Sequence, residues 1–198
     1  MARPRTFDEE KAVEAACHVF WTKGYDAAST QDLCDATGLG RSSIYNTFKS
    51  KDHLFRRSLA HYMDAMSAQQ VAILEEGDGS GAERIRALLS TVVAAELENR
   101  REGHGSGCFT VNTIASLASR DPQIAQILDK DLRWRLSSLR AAIEAGRRDG
   151  SVTSTRDTAG LAWYVVSVIS GLRIAGQTGA EGPVLEQIAE TALDALGA

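Results

Sequence analysis

Proline occurs only three times in 198 residues, at positions 4, 122 and 183, so no long periodic segment carries a ring that a helix interior rejects. Cysteine is equally scarce: Cys17, Cys34 and Cys108 are too few and too far apart for a disulfide framework or a zinc ribbon. Strict apolar–polar alternation is almost absent, which argues against a fold built on sheets. No apolar signal core follows the basic start Met1-Ala2-Arg3-Pro4-Arg5, which runs instead into Asp8-Glu9-Glu10; that pattern points to a reducing, cytoplasmic setting. One apolar run of fifteen uncharged residues, Thr158 to Leu172, is short of the ~20 residues that span a bilayer and reads as a helix buried on most sides.

What is present is helix. With 43% hydrophobic and 24% charged residues, the chain has enough apolar material to build a globular core. Val13, Ala16, Cys17, Phe20 and Trp21 recur at helical spacing between Asp8 and Gly24. Ser29-Thr30-Gln31-Asp32 has the form of a capping box, and the short helix that it opens ends at Gly38. A second short helix fits Arg41 to Phe48. Ser50 caps a longer one, with Leu54, Phe55, Leu59, Tyr62, Met63 and Met66 on one side. Glycine-rich stretches at 76–81 and 102–107 read as connections. Asp121-Pro122 opens a helix that runs to about Gly150, Ser154 to Asp157 open the apolar helix, and Gly182-Pro183 open the last. The expectation is an all-α fold of about nine helices. An N-terminal three-helix domain occupies residues 1–49 and a C-terminal helical domain 50–198, with the helix from Ser50 connecting them.

Charge is distributed unevenly. The net charge is −4, yet residues 1–61 hold nine Lys and Arg against eight Asp and Glu, leaving 13 against 18 for the rest. From Arg41 to Arg57 the sole acid is Asp52. A local basic patch on an otherwise acidic chain suits contact with a polyanion.

Two short helices joined at a glycine, the second leading at once into a longer helix, make a helix-turn-helix. The second must carry small and polar side chains to enter a groove only ~12 Å wide. Arg41-Ser42-Ser43-Ile44-Tyr45-Asn46-Thr47-Phe48 meets that demand, with Ile44 and Phe48 turned inward and the others outward. Leu33, Ala36, Leu39 and Ile44 supply packing between the two helices.

The stretch from Thr30 to Phe55, with its glycine turn and Tyr45-x-x-Phe48-x-x-Lys51 spacing, resembles the TetR family of bacterial transcriptional regulators. Ala15-Ala16, Phe20 through Gly24-Tyr25 and Ala28-Ser29-Thr30 extend the resemblance upstream. Gly40 and Ser42 depart from the family pattern and loosen the start of the reading helix. The resemblance implies a dimer with a DNA-binding N-terminus and a ligand-binding C-terminus. Arg41 is suited to fork onto a guanine edge, while Ser42, Ser43, Asn46 and Thr47 are suited to base edges or nearby phosphates. Tyr45, Lys51 and Thr30 match phosphate-contacting positions of the family. Arg3 and Arg5 form a basic arm of the kind that reaches into a minor groove.

Beyond residue 60 the helices at 158–176 and 183–196 are apolar on more than one side, and a surplus of that kind suggests pairing with a second copy. The resemblance likewise implies a homodimer through the last two helices, reading a palindromic operator. Phe109, Asn112, Trp134, Trp163 and Tyr164 mix aromatic bulk with polar handles and are candidates for a pocket that holds a small-molecule inducer, although aromatic residues at this spacing also build plain cores. Cys108 follows a glycine-rich loop and begins a helix, a position that suits either a reactive thiol or an inert buried one. Gly107-Cys108 and the apolar helix after them resemble a subgroup of the family, some of whose members respond to electrophiles. His18, His53, His61 and His104 show no metal spacing and no catalytic constellation emerges, so neither an enzyme nor a cofactor is expected. The expectation is therefore a ligand-released repressor; the alternative is a helical protein-interaction module that does not bind DNA.

Overall fold

Local signals fix most helix ends in the computed structural model, which describes residues 7–101 and 107–198. Among the described residues there are nine helices and no strand. Asp8 accepts from the amides of Glu10 (3.0 Å) and Lys11 (3.2 Å) to open α1 (Glu9–Ala27). Two short helices follow, α2 (Thr30–Thr37) and α3 (Arg41–Phe48). Ser50 Oγ accepts from His53 N at 3.1 Å and opens α4 (Lys51–Leu74). After α5 (Gly81–Arg101) and α6 (Phe109–Leu117), Asp121 accepts from the amides of Gln123 and Ile124 to start α7 (Pro122–Asp149). Asp157 accepts from Gly160 N at 2.9 Å to start α8 (Thr158–Gln177), and α9 (Gly182–Leu196) begins on a proline.

The chain divides into two compact units, Met1–Asp64 and Ala65–Ala198. The first extends beyond the motif because α4 completes its core. Leu54, Phe55 and Leu59 are buried, as are Phe20, Leu33, Ile44 and Phe48, and the Phe20 and Phe55 rings meet edge to face at 5.1 Å. Across the α1–α4 contact, Ser58 Oγ donates to the Val13 carbonyl, and Arg57 pairs with Glu9 while lying over the Phe48 ring.

The second unit surrounds one apolar cluster. Ile85 and Leu89 of α5, Leu139 and Ile143 of α7, Val165 and Leu172 of α8, and Leu185 and Leu193 of α9 are among its members. Arg147, in the last turn of α7, ties the α7–α8 connection to that helix, donating to Thr158 Oγ1 (2.8 Å) and to the carbonyls of Ser154 (2.9 Å) and Arg156. One buried ion pair crosses the unit: Arg173 Nη1 of α8 lies 2.9 Å from Glu96 Oε1 of α5. Burial raises the Glu96 pKa from its ordinary value, and the opposing pull of Arg173 does not cancel that effect.

The structure corrects the expectation that α8 is buried on most sides. Leu161, Val165, Ile169 and Leu172 face the core formed with α5, α7 and α9, but Trp163 is 48% exposed and Ile174 49%. The helix also outruns its uncharged segment, reaching 20 residues, and by length and composition it is apolar enough to cross a membrane. The neighbouring helices simply cover one side of it. On the other side Gly160, Trp163, Tyr164, Ser167, Gly171 and Ile174 form an uncharged exposed stripe at helical spacing.

Candidate nucleic-acid interface

Helix α2 starts on a complete capping box. Ser29 Oγ accepts from Asp32 N at 3.1 Å, and the Asp32 carboxylate accepts from Ser29 N at 2.9 Å. Such a cap stabilises a helix start by about 1 kcal/mol. Lys23, 2.6 Å from the same carboxylate, and the two Ser29 donors hold Asp32 down to about pKa 2, so the box is charged at neutral pH. Gly38 ends α2 with φ +67°, a conformation that a side chain would strain, and this turn directs the chain into α3.

No side chain caps α3. The Gly40 carbonyl instead accepts from Ser43 N (2.9 Å) and Ile44 N (3.1 Å), and the helix opens at Arg41 despite the two departures from the family pattern. Ile44 and Phe48 are buried, as their i, i+4 spacing requires. Arg41, Ser42, Ser43, Tyr45 and Asn46 are exposed and Thr47 is half-buried. Of the expected packing residues, Leu33 and Ile44 are buried and Leu39 half-buried, but Ala36 is exposed: the steep crossing uses one side of α2 and leaves this position outside.

The polar surface is internally organised. Thr30 Oγ1, in the first turn of α2, and Tyr45 OH of α3 share a hydrogen bond of 3.2 Å, and the Arg41 guanidinium lies 5.9 Å from the Tyr45 ring centre. The Thr30 hydroxyl, and after it the Arg41 charge, lowers the Tyr45 phenol from its ordinary pKa. These contacts gather Thr30, Arg41 and Tyr45. Lys51 stands on the first turn of α4, its ammonium 4.6 Å from the centre of the Tyr25 ring. Tyr25 OH donates to the Asp52 carboxylate, and burial together with that carboxylate raises the Tyr25 phenol to about 12. The sequence singles out Tyr25 only as part of the upstream resemblance, with no role of its own. Arg3 and Arg5 lie outside the described residues.

The candidate pocket residues do not form one wall. Cys108 and Phe109 are buried at the start of α6, while Asn112 and Trp134 are half-buried. A side chain at Gly107 would strike Gln177, which places this segment against the C-terminal end of α8. Trp163 is fourteen residues back along α8, roughly 20 Å at 1.5 Å per residue, and is exposed together with Tyr164. These two aromatics belong to the outer stripe rather than to a cavity shared with Cys108. The Cys17 thiol is raised to about 12, chiefly by burial and secondarily by Glu14. Among the described residues no group of three or more His, Cys, Asp or Glu is arranged to hold a metal ion.

Comparison with known proteins places this geometry in a family. The model for bacterial regulatory proteins of the tetR family matches residues 12–57, and the model for the tetracyclin repressor-like C-terminal domain matches residues 81–191. The HTH-type transcriptional repressor ComR of Escherichia coli (strain K12) is 28% identical over 195 residues, covering 96% of this chain and 90% of ComR. A cysteine mutant of the TetR family transcriptional regulator CifR, solved in complex with 26-bp double-strand operator DNA, superposes with a TM-score of 0.82 at 27% identity, over 98% of this chain and 100% of that one. Escherichia coli NemR in its reduced form shares the fold, with a TM-score of 0.81 at 19% identity over 94% of this chain and 96% of that one.

Proposed function

The chain belongs to the TetR family of bacterial regulatory proteins, and from that premise we propose that it is a dimeric transcriptional repressor that leaves its operator when a small molecule or electrophile is bound. The observation that carries the reading is the surface of α3, where a capped α2, the Gly38 turn and buried Ile44 and Phe48 leave Arg41, Ser42, Ser43, Tyr45 and Asn46 exposed together. Arg41 reads a guanine edge, and Ser42, Ser43, Asn46 and Thr47 touch bases or nearby phosphates. Thr30, Tyr45 and Lys51 hold the phosphate backbone. CifR was solved on operator DNA, and the likeness supports the same kind of partner here.

The outer stripe of α8 supports the dimer. It continues on α9 in Val184, Gln187, Thr191 and Ala195, again without charge, and Val184 is 52% exposed. Gly160, Ser167 and Gly171 let a second helix approach closely, and Trp163 and Ile174 fill the contact. A two-fold pair through these helices presents two α3 helices to successive major grooves. Residues 1–49 then serve as the DNA-binding domain and residues 50–198 as the ligand-binding and dimerisation domain. The soluble, cytoplasmic setting of such a regulator follows from the same reading.

The inducer acts by preferring a conformation in which the α3 helices are spaced differently; a coupling of about 1–3 kcal/mol gives a 5- to 150-fold loss of DNA affinity. Phe109, Asn112 and Trp134 remain the candidates for its site, with Cys108 as a reactive thiol beside them. CifR was solved with cysteines substituted, which supports testing the thiols of this chain.

The test is enrichment of fragments of the source genome by the purified full-length protein at ~0.15 M salt, where surface charges are screened beyond about 8 Å. A short palindrome upstream of a few genes is the expected result. Failure to retain any fragment, by folded dimeric protein, refutes operator recognition and leaves the helical interaction module.

A further inference from the structure

The first turn of α4 carries opposite charges on adjacent residues. Lys51 offers an ammonium to a phosphate and Asp52 offers a carboxylate, which repels one. One side chain holds both. Gly24 interrupts α1 with φ +76° and ψ 166°, a backbone turn that glycine makes without strain, and Tyr25 follows it. The Tyr25 ring meets Phe55 edge to face at 5.1 Å and stacks at 6.4 Å from Phe20, both fully buried, so it is anchored in the core of this unit. On that fixed ring the Lys51 ammonium sits 4.6 Å from the centre, while the hydroxyl donates to Asp52.

We propose that Tyr25, outside the reading helix, is a positioning residue for DNA binding: its ring seats the Lys51 ammonium and its hydroxyl holds the Asp52 carboxylate away from the approaching phosphate. A free lysine side chain samples many rotamers, and fixing it on an anchored ring removes part of the ordering cost before DNA arrives. A neutral hydroxyl on the carboxylate spreads its charge without consuming the lysine. Bonding Asp52 directly to Lys51 would silence the ammonium, and neighbours on a helix do not face each other in any case. Tyr25 lets the two charges coexist with one of them free for use. The proposal rests on the reading of Lys51 as a phosphate contact.

The experiment measures operator affinity of the full-length protein across a salt series, together with melting temperature, for Lys51→Ala, Tyr25→Leu, Tyr25→Phe, Asp52→Asn and their combinations. In an Asp52→Asn background, where no carboxylate is released, Tyr25→Leu is expected to weaken binding about 3- to 5-fold, the scale of a cation–π contact of this kind, and to have little further effect once Lys51 is alanine. Tyr25→Phe keeps the ring, is expected to weaken binding about 2- to 5-fold through the released carboxylate, and regains wild-type affinity with Asp52→Asn. Losses that multiply for Tyr25→Leu and Lys51→Ala in the Asp52→Asn background, or a Tyr25→Phe loss that Asp52→Asn does not rescue, overturn the role of Tyr25 and reduce it to core packing. If Tyr25→Leu fails to fold, the Tyr25→Phe and Asp52→Asn pair decides alone. Equal affinity of wild type and Lys51→Ala refutes the phosphate contact itself, and the role of Tyr25 falls with it.

Discussion

Replacing Arg173 with methionine would leave the Glu96 carboxylate, 2% exposed, without the guanidinium 2.9 Å away. Glu96 lies against the bare α-carbon of Gly176, where a side chain would stand 3.0 Å from its Cβ, so the carboxylate has little room to swing out to water. Removing one partner of a buried pair costs about 3–5 kcal/mol, most of it the penalty of the charge left behind. For a chain of this size each kcal/mol moves the midpoint by about 2–4 °C, so Arg173→Met is expected to melt about 6–20 °C below wild type. Glu96→Leu/Arg173→Met removes both charges, and the double variant is expected to lie close to wild type or above it.

The pH dependence has a definite sign. Burial raises the folded pKa of Glu96 above its unfolded value. The stability tied to this group is therefore complete below the unfolded pKa and is lost as pH rises through the folded one. Arg173 opposes the upward shift, so its removal raises the folded pKa further, and the deficit of Arg173→Met grows as pH rises above the ordinary carboxylate range. Thermal melts at one fixed protein concentration measure this, because self-association would make the midpoint concentration-dependent. An Arg173→Met variant as stable as the double variant at pH 7.5, or a deficit that does not grow with pH, would refute the reasoning.

Arg41→Ala is expected to relax preference at one operator position at a cost of about 1–3 kcal/mol, read by titrating operators substituted base by base; a uniform loss at every position would make Arg41 a phosphate contact instead. Ile174→Asp places a charge in the exposed α8 stripe and is expected to yield a folded monomer in sedimentation, with operator affinity lost in parallel; a persistent dimer removes this stripe from the interface. Cys108→Ser, in a Cys34→Ser background because that thiol is half-buried within α2, is expected to retain the operator after treatment with an alkylating electrophile that releases the protein with Cys108 intact. Release that survives the substitution would end the thiol hypothesis.

What was legible in the sequence is what neighbouring residues decide. The Ser29–Asp32 box, the Gly38 turn, the inward pair Ile44 and Phe48, and the aspartates that open α1, α7 and α8 each act within one turn of helix, and each stands where spacing alone puts it. Exposure was harder to read, because it depends on which side of an apolar helix the neighbours happen to cover. Ala36 and Leu39 are both expected to pack between α2 and α3, yet one is exposed and the other half-buried. Trp163 and Tyr164 carry the composition of a pocket wall, and only the fold shows them outside, about 20 Å along α8 from the segment at Cys108.

The least legible features are those that join distant residues through a third element. Glu96 and Arg173 are 77 positions apart, and no local pattern pairs one charge with the other. Tyr25 and Asp52 are 27 apart, and their contact exists because Gly24 turns the chain while Phe20 and Phe55 anchor the ring. The same logic explains why the basic stretch from Arg41 to Arg57 tolerates one acid. In sequence Asp52 is a lone negative charge beside the lysine proposed to hold a phosphate, which reads as a defect. In the fold its carboxylate accepts from the Tyr25 hydroxyl, on the same ring that carries the Lys51 ammonium. A substitution that only removes the negative charge, Asp52→Asn in the wild-type background, is therefore expected to strengthen operator binding less than one repulsive charge predicts, because the Tyr25 hydroxyl already holds that carboxylate away from the phosphate.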